Sequence, residues 1–393
     1  RFQAVEVNPE NRLEEISEPH DIEGWTGFNF PGRGGKYSEF VWNFSHFSGV
    51  DYDQSTQQSG IFKILGENKD WSKETSSEKG NYDYLMNADI DHSHPDVVAE
   101  LERYAFWLIE EMGYDGFRYD ALKHISSTFI ANLTAKIHEK YPDFEFFGEY
   151  WEGADEQLSV YLEQSDYRIQ LFDVPLHFRF QAASNDPGYD LSQLFSGALV
   201  HEYPAQAVTF VDNHDSQPGQ SLESWVAPEF KEIAYALILL RRDGYPCIFA
   251  GDFDGIQEAD YPGIETELRR LMALRRDYAY GEEELLFTEA DAFGLLRHGT
   301  EEHPGKLLLL YSRSEEREVE VDFSANWAGR CFVEAHLAGL PGGIPELMEE
   351  GVELNSEAGQ AALAEAGALV RLDESGRGSF KVLPGTLAYW YSL

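Results

Sequence analysis

Three short stretches of the chain each end an apolar run in a carboxylic acid. GFRYD closes on Asp120, FFGEYW carries Glu149, and AVTFVDNHD brings Asp212 and Asp215 together with His214. Each acid taken singly reads as a turn residue or a helix cap. Three of them on one rim could do chemistry. One ionised carboxylate can attack the anomeric carbon of a sugar. A second, kept protonated by its neighbours, can donate a proton to the leaving oxygen and later take one from water. A third can stabilise the positive charge on the ring. That is retaining glycoside hydrolysis, which wants roughly 5 Å between nucleophile and acid. Arg118, two residues before Asp120, would keep the nucleophile charged. A divalent-metal phosphoesterase also needs clustered acids, normally with more histidines than His124 and His214.

The elements that must position these acids can be read from the texture of the chain. The first ninety or so residues are rich in glycine, aromatics and aspartate, with short strand-like pieces such as GIFKIL and turn clusters such as PGRGGKYS, and read as an irregular β-rich segment. From Pro95 helical and strand patterns alternate. Helices are predicted over 96–113, stopping at Gly113, and over 126–141, 156–165, 191–200, 230–244 and 264–281. Strands are predicted at 144–151, 169–176, 207–215 and 246–252, with a short apolar run at 114–121. They are continuously apolar, as in a parallel sheet covered on both faces. In a parallel α/β barrel the C-terminal strand ends converge on one rim, which would gather the three acids. After about residue 285, KLLLLYS, REVEVDF and GTLAYWYSL alternate as antiparallel strands do.

Composition narrows the partners. With 71 acidic against 30 basic residues the net charge is −41, which repels nucleic-acid phosphates and anionic membranes. The acids are dispersed, so they read as a solvated surface or as adaptation to high salt, where screening removes self-repulsion. No apolar run reaches membrane-spanning length. The two cysteines, Cys247 and Cys331, read as buried free thiols of a reducing compartment or as a single disulfide.

GFRYDALKH (116–124), GEYW (148–151) and FVDNHD (210–215) resemble conserved regions of the α-amylase family of glycoside hydrolases. GWTGFNFPGRGGKYSEFVW, GNYDYLMNADID, LFDVPLHFRF, NHDSQPGQSLES and GYPCIFAGD resemble its bacterial liquefying type. The resemblance runs from about residue 1 to 285. It implies a (β/α)8 TIM barrel with an inserted irregular β-rich domain (1–94, including the return to the barrel), the second part of the catalytic barrel (95–285) and a C-terminal antiparallel β domain (286–393). The family's first barrel strands have no counterpart here and are expected ahead of Arg1, outside this sequence.

The resemblance further implies that Asp120 is the nucleophile, Glu149 the general acid/base and Asp215 the third carboxylate. Arg118 would hold Asp120, His214 would bond the central sugar, and Lys123, His124 and Trp151 would line the leaving-group side. Calcium would be bound by Asp83, Asp89 and the His124 carbonyl. Further cation positions of the liquefying type use acids where this chain has Ser48 and Ser93, so one calcium at most is expected. The implied activity is endo-hydrolysis of α-1,4 bonds in an α-glucan by a monomer. The alternatives are a transglycosylase or maltooligosaccharide-forming enzyme, and an inactive glucan-binding protein. GIFKIL and HFSGVDYD resemble cytoplasmic bacterial members of the family more than secreted ones, and free thiols agree, so cytoplasmic placement is expected, with secretion as the alternative.

Overall fold

The computed structural model describes residues 1–336 and 356–393. Residues 337–355, part of the expected C-terminal β domain, lie outside the described residues. The chain falls into two compact units, Arg1–Phe172 and Asp173–Leu393.

The first unit opens with an antiparallel sheet. Strands Asn11–Glu15, Phe2–Asn8, Gln58–Ile64, Phe47–Asp53 and Ala88–Ile90 are hydrogen-bonded in that order, and His20–Ile22 pairs with Phe2–Asn8. Alternation along FQAVEVN supplies both faces. Phe2 and Ala4 join a core with Ile22, Phe47, Val50 and Phe62, whereas Val5 and Val7 pack on Trp71 and Tyr84. The irregular segment is therefore an ordered sheet covered on both sides.

Three parallel strands follow. Gly116–Tyr119 pairs with Glu145–Gly148, and Glu145–Gly148 with Gln170–Phe172. Helices Ser127–Lys140 and Asp155–Gln164 make the crossovers that parallel strands require. Helix Pro95–Glu110 precedes them, and Gly113 takes the left-handed φ of 74° that ends it. Tyr119 lies opposite Gly148, so the next residues, Asp120 and Glu149, leave the sheet at the same end.

In the second unit, Ala207–Phe210 and Tyr245–Cys247 are parallel neighbours, connected through helix Pro228–Leu240. Helix Glu265–Tyr278 leads into a six-stranded antiparallel sheet running from Glu283–Thr288 to Leu369–Arg371, and Arg317–Asp322 pairs with Arg377–Val382. Leu308, Leu310, Phe332, Phe380 and Trp390 form its core.

Three predicted elements are corrected. IQLFDVPL is a strand only over Gln170–Phe172; Val174–Asn185 is a helix, because the Asp173 carboxylate caps the Leu176 N–H at 3.0 Å and Pro175 sits in the first turn. LSQLFSGALV is a 3-10 turn, Leu191–Gln193, and a short helix, Leu199–Glu202. There the buried Asp173 accepts the N–H groups of Leu199 and Val200, which fixes a helix start mid-stretch. PCIFAGD leaves its strand after Cys247 and becomes helix Ala250–Asp254. Cys247 and Cys331 are both free thiols.

Candidate active site

The first unit brings Asp120, Arg118 and Glu149 together. Arg118 Nη1 donates to Asp120 Oδ1 at 2.6 Å, and Nη2 donates to Glu149 Oε2. These are charge-assisted bonds from one planar fork, which fix both carboxylates relative to one cation. The guanidinium lies 6.0 Å from the Phe172 ring centroid. The two acids differ in setting: the Asp120 side chain is 70% exposed and that of Glu149 only 7%.

Local sequence explains both placements. Ala121, directly after Asp120, has a left-handed φ of 51°, a conformation that costs energy for a residue with a Cβ and turns the chain sharply at the strand end. Gly148 admits no side chain, since a Cβ there would lie 2.3 Å from Leu122 Cδ1. Glu149 is pinned on both sides of its peptide plane, with its N–H on the Tyr119 carbonyl and its carbonyl accepting from Leu122.

The 3-10 turn Leu122–His124 carries the next two candidates. Lys123 is buried; its Nζ donates to Glu78 at 2.8 Å and to the Trp151 carbonyl at 3.1 Å, and lies 3.8 Å from Glu152. The lysine thus holds the backbone of Trp151, whose side chain is half-buried. His124 Nδ1 bonds the Tyr82 carbonyl at 2.7 Å, its ring standing edge-on to Tyr82. Burial pushes the imidazole down to about 4, so His124 is neutral at physiological pH.

The metal candidates lie next to Tyr82. Asp83 and Asp89 are hydrogen-bonded to each other; burial and the charge of Asp91 push Asp83 up to about 6, and burial and the charge of Asp83 push Asp89 far above the usual range. Ser48 Oγ donates to Asp89, and the Ser72 N–H to Asp83 at 2.8 Å. Among the described residues neither acid has a cationic side chain within ion-pair distance, whereas Asp91 has Lys69 at 2.5 Å. Two adjacent carboxyls with no cationic side chain in ion-pair reach among the described residues fit a divalent ion that would supply the positive charge. The oxygen donors suit calcium.

A second cluster, His46, His94 and Asp96, places possible ligand atoms within 4.8 Å of one another. Both rings, however, accept a backbone N–H at Nδ1, from Asn43 and from Asp96, each at 3.2 Å. A neutral imidazole so bonded carries its proton on Nε2 and offers a metal no lone pair there. The group is a pair of caps.

In the second unit the stretch FVDNHD separates into two roles. Asp212 is fully buried: it accepts from Lys231 at 2.8 Å, from Ser216 Oγ at 2.7 Å and from the Val226 N–H at 3.2 Å. Lys231 also pairs with Asp252, which binds the Tyr235 hydroxyl at 2.6 Å. Asn213 Oδ1 accepts the N–H groups of Asp215 and Ser216, and His214 Nε2 lies 3.1 Å from Asp215 Oδ2. Asp215 and His214 face outward while Asp212 anchors the turn beneath them. His177, stacked on Phe210 and bonded to the Val211 carbonyl at 2.6 Å, braces the same strand end. Sequence reading missed the anchoring roles of Asp212, Lys231 and His177. Their signal was a lysine inside the apolar run FKEIAYALILL.

A family model described as the α-amylase catalytic domain matches residues 63–285. The chain is 45% identical over 304 residues to an α-amylase of Geobacillus stearothermophilus, covering 77% of this chain and 55% of that relative. It is 37% identical over 340 residues to the cytoplasmic α-amylase of Escherichia coli (strain K12), covering 83% and 68%. The chain thus spans a little over half the length of the first relative. A solved Anoxybacillus α-amylase aligns with a TM-score of 0.56 at 17% identity, covering 78% of this chain and 65% of that one. That likeness carries the fold, a TIM-barrel type accompanied by antiparallel sheets.

Proposed function

Since the chain belongs to the α-amylase family, we propose that it hydrolyses internal α-1,4 bonds of an α-glucan with retention of configuration. The observation that carries this reading is the Asp120–Arg118–Glu149 constellation at the ends of two adjacent parallel strands. Exposed Asp120 attacks the anomeric carbon and forms a covalent glycosyl ester. Buried Glu149 gives its proton to the departing glycosidic oxygen, then takes one from the water that cleaves the ester. Asp215, steadied by Asn213 and beside His214, bonds the sugar hydroxyls and favours the distorted ring of the transition state. Arg118 keeps the first two carboxylates in register, and Lys123 sets the Trp151 backbone for contacts on the leaving-group side.

Calcium fits Asp83, Asp89 and the His124 carbonyl, and when bound supplies a fixed positive charge that ties the Tyr82–Asp89 stretch to the turn after Asp120. The protein acts as a monomer in the cytoplasm; the name of the E. coli relative and the two free thiols support that compartment. Among the described residues no helix is long and apolar enough to cross a membrane. The dispersed charge of −41 supports adaptation to high salt, and a melting temperature that does not rise between low and molar salt would count against it.

A reducing-sugar assay on soluble starch tests the activity. The wild-type protein is expected to release reducing ends, and Glu149→Gln to abolish release with the circular-dichroism spectrum unchanged. Full turnover by the variant would overturn the assignment; a wild type that binds starch without cutting it would mark a glucan-binding protein instead.

A further inference from the structure

Lys69 is a buried lysine whose surroundings are those of a metal ion. Its side chain is 7% exposed and that of its partner Asp91 8%. Its Nζ donates to Asp91 Oδ2 at 2.5 Å and to the Phe47 carbonyl at 3.1 Å. Both partners are hard oxygens, one anionic and one a main-chain carbonyl, the pairing that sodium and calcium ions take in proteins. Burying an ammonium costs several kcal/mol unless it is fully paired, roughly as for any ion leaving water. A neutral or apolar residue would avoid that cost if Asp91 were not fixed beside it.

Asp91 is fixed. It accepts the Ser93 N–H at 3.0 Å and Ser93 Oγ at 2.5 Å, its own N–H bonds the His46 carbonyl at 3.0 Å, and its carbonyl accepts the His94 N–H at 3.1 Å. Two residues away, on the strand Ala88–Ile90, is Asp89, bonded to Asp83. Three carboxylates are thus confined to one end of the first unit's sheet, and a cavity of about 910 Å³ opens on Lys69, Asp83, Asp91 and Ser93. The cluster needs positive charge from two directions. Asp83 and Asp89 have no lysine or arginine in ion-pair reach among the described residues, while Asp91 has Lys69.

We propose that the Lys69 ammonium is a built-in cation, standing where a second, mobile ion would otherwise sit between Asp91 and the Phe47 carbonyl. The acidic cluster therefore takes a single divalent ion, at Asp83 and Asp89, and is indifferent to sodium. This rests on the calcium reading above only for the count of ions. The claim about Lys69 stands on its own contacts.

The test is metal content and melting temperature of the full chain, not activity. Protein stripped with a chelator and dialysed against calcium is expected to retain one calcium per chain by mass spectrometry. It should melt at the same temperature in sodium chloride and in choline chloride of equal ionic strength. Lys69→Met, which keeps a four-atom unbranched stem and removes the ammonium, is expected to melt lower in choline. Sodium should then raise it by about 2–4 °C, or a second calcium should appear. Lys69→Gln, a smaller perturbation, should respond in the same way, and Lys69→Arg should stay indifferent to sodium. Two calcium ions on the wild type would overturn the proposal. So would a Lys69→Met variant whose melting temperature is equal in the two salts with one calcium bound. Failure of both neutral variants to fold even with sodium and calcium present also overturns it, because a mobile ion should have taken the ammonium's place. A wild type that binds no calcium refutes the calcium reading and leaves the sodium response of Lys69→Met to decide this one.

Discussion

Asp120 and Glu149 are held by one guanidinium: Arg118 donates through Nη1 to the first and through Nη2 to the second. The register that sets Tyr119 opposite Gly148 brings the two acids to the same sheet end, and the arginine, on the strand that ends in Asp120, fixes their separation. A lysine could reach both acids but, as a point charge without a planar fork, would not hold them at a set angle.

Arg118→Ala is therefore expected to lower kcat by about 10²–10³-fold while changing KM little, since the positioning it removes matters when charge develops in the transition state. Arg118→Lys should recover only a small part. Steady-state kinetics on soluble starch check both, and a variant whose loss lies wholly in KM would assign the arginine to substrate binding instead.

Lys231 is expected to matter for stability more than for chemistry. It is fully buried between Asp212 and Asp252 and lies 3.2 Å above the Trp225 ring centroid. Lys231→Met leaves two buried carboxylates without their cation, a loss of about 3–5 kcal/mol. Urea unfolding followed by fluorescence measures it. A loss below about 1 kcal/mol would show that water reaches the site and solvates the acids.

The division of labour within FVDNHD shows what a sequence can and cannot disclose. Apolar residues before a polar cluster announced the strand and its end, and the acid at 215 was expected on the rim at that end. Nothing in the local letters separates Asp212 from Asp215, because the difference lies in Lys231 on a later helix and in Asp252 beyond that. Helix Pro95–Glu110 was legible because its apolar spacing, starting proline and closing Gly113 agree. Helix Val174–Asn185 was not, because its start is apolar on all sides and reads as continuous strand; the capping Asp173 and Pro175 were the available signals. Burial explains the Lys69 case as well. GENKDW looks like a solvated turn until the Phe47 carbonyl and Asp91, from two strands' distance, close over the ammonium.

A pH dependence of stability follows from the second unit. His336 lies 3.0 Å from Glu334 and 3.4 Å from Glu232 and stacks on Tyr389. Burial opposes its charge, but the hydrogen bonds to Glu232 and Glu334 prevail and push the imidazole up to about 9. A raised folded-state value means the contribution is complete below the unfolded value of about 6.5 and is lost as pH rises through 9. The urea midpoint of the wild type should thus exceed that of His336→Gln at pH 6, with the gap closing by about pH 10. A gap that widens with pH would contradict the assignment.

The central claim is that Asp120 is the attacking group, and trapping tests it most directly. An α-maltosyl fluoride needs no acid to expel its leaving group, so the Glu149→Gln variant should form the glycosyl ester and hydrolyse it slowly. Quenching, digestion and peptide mapping by mass spectrometry are expected to find the sugar on the peptide containing Asp120, with α-configured product released first. A label on another carboxylate, or no label with β-configured product, would contradict the account.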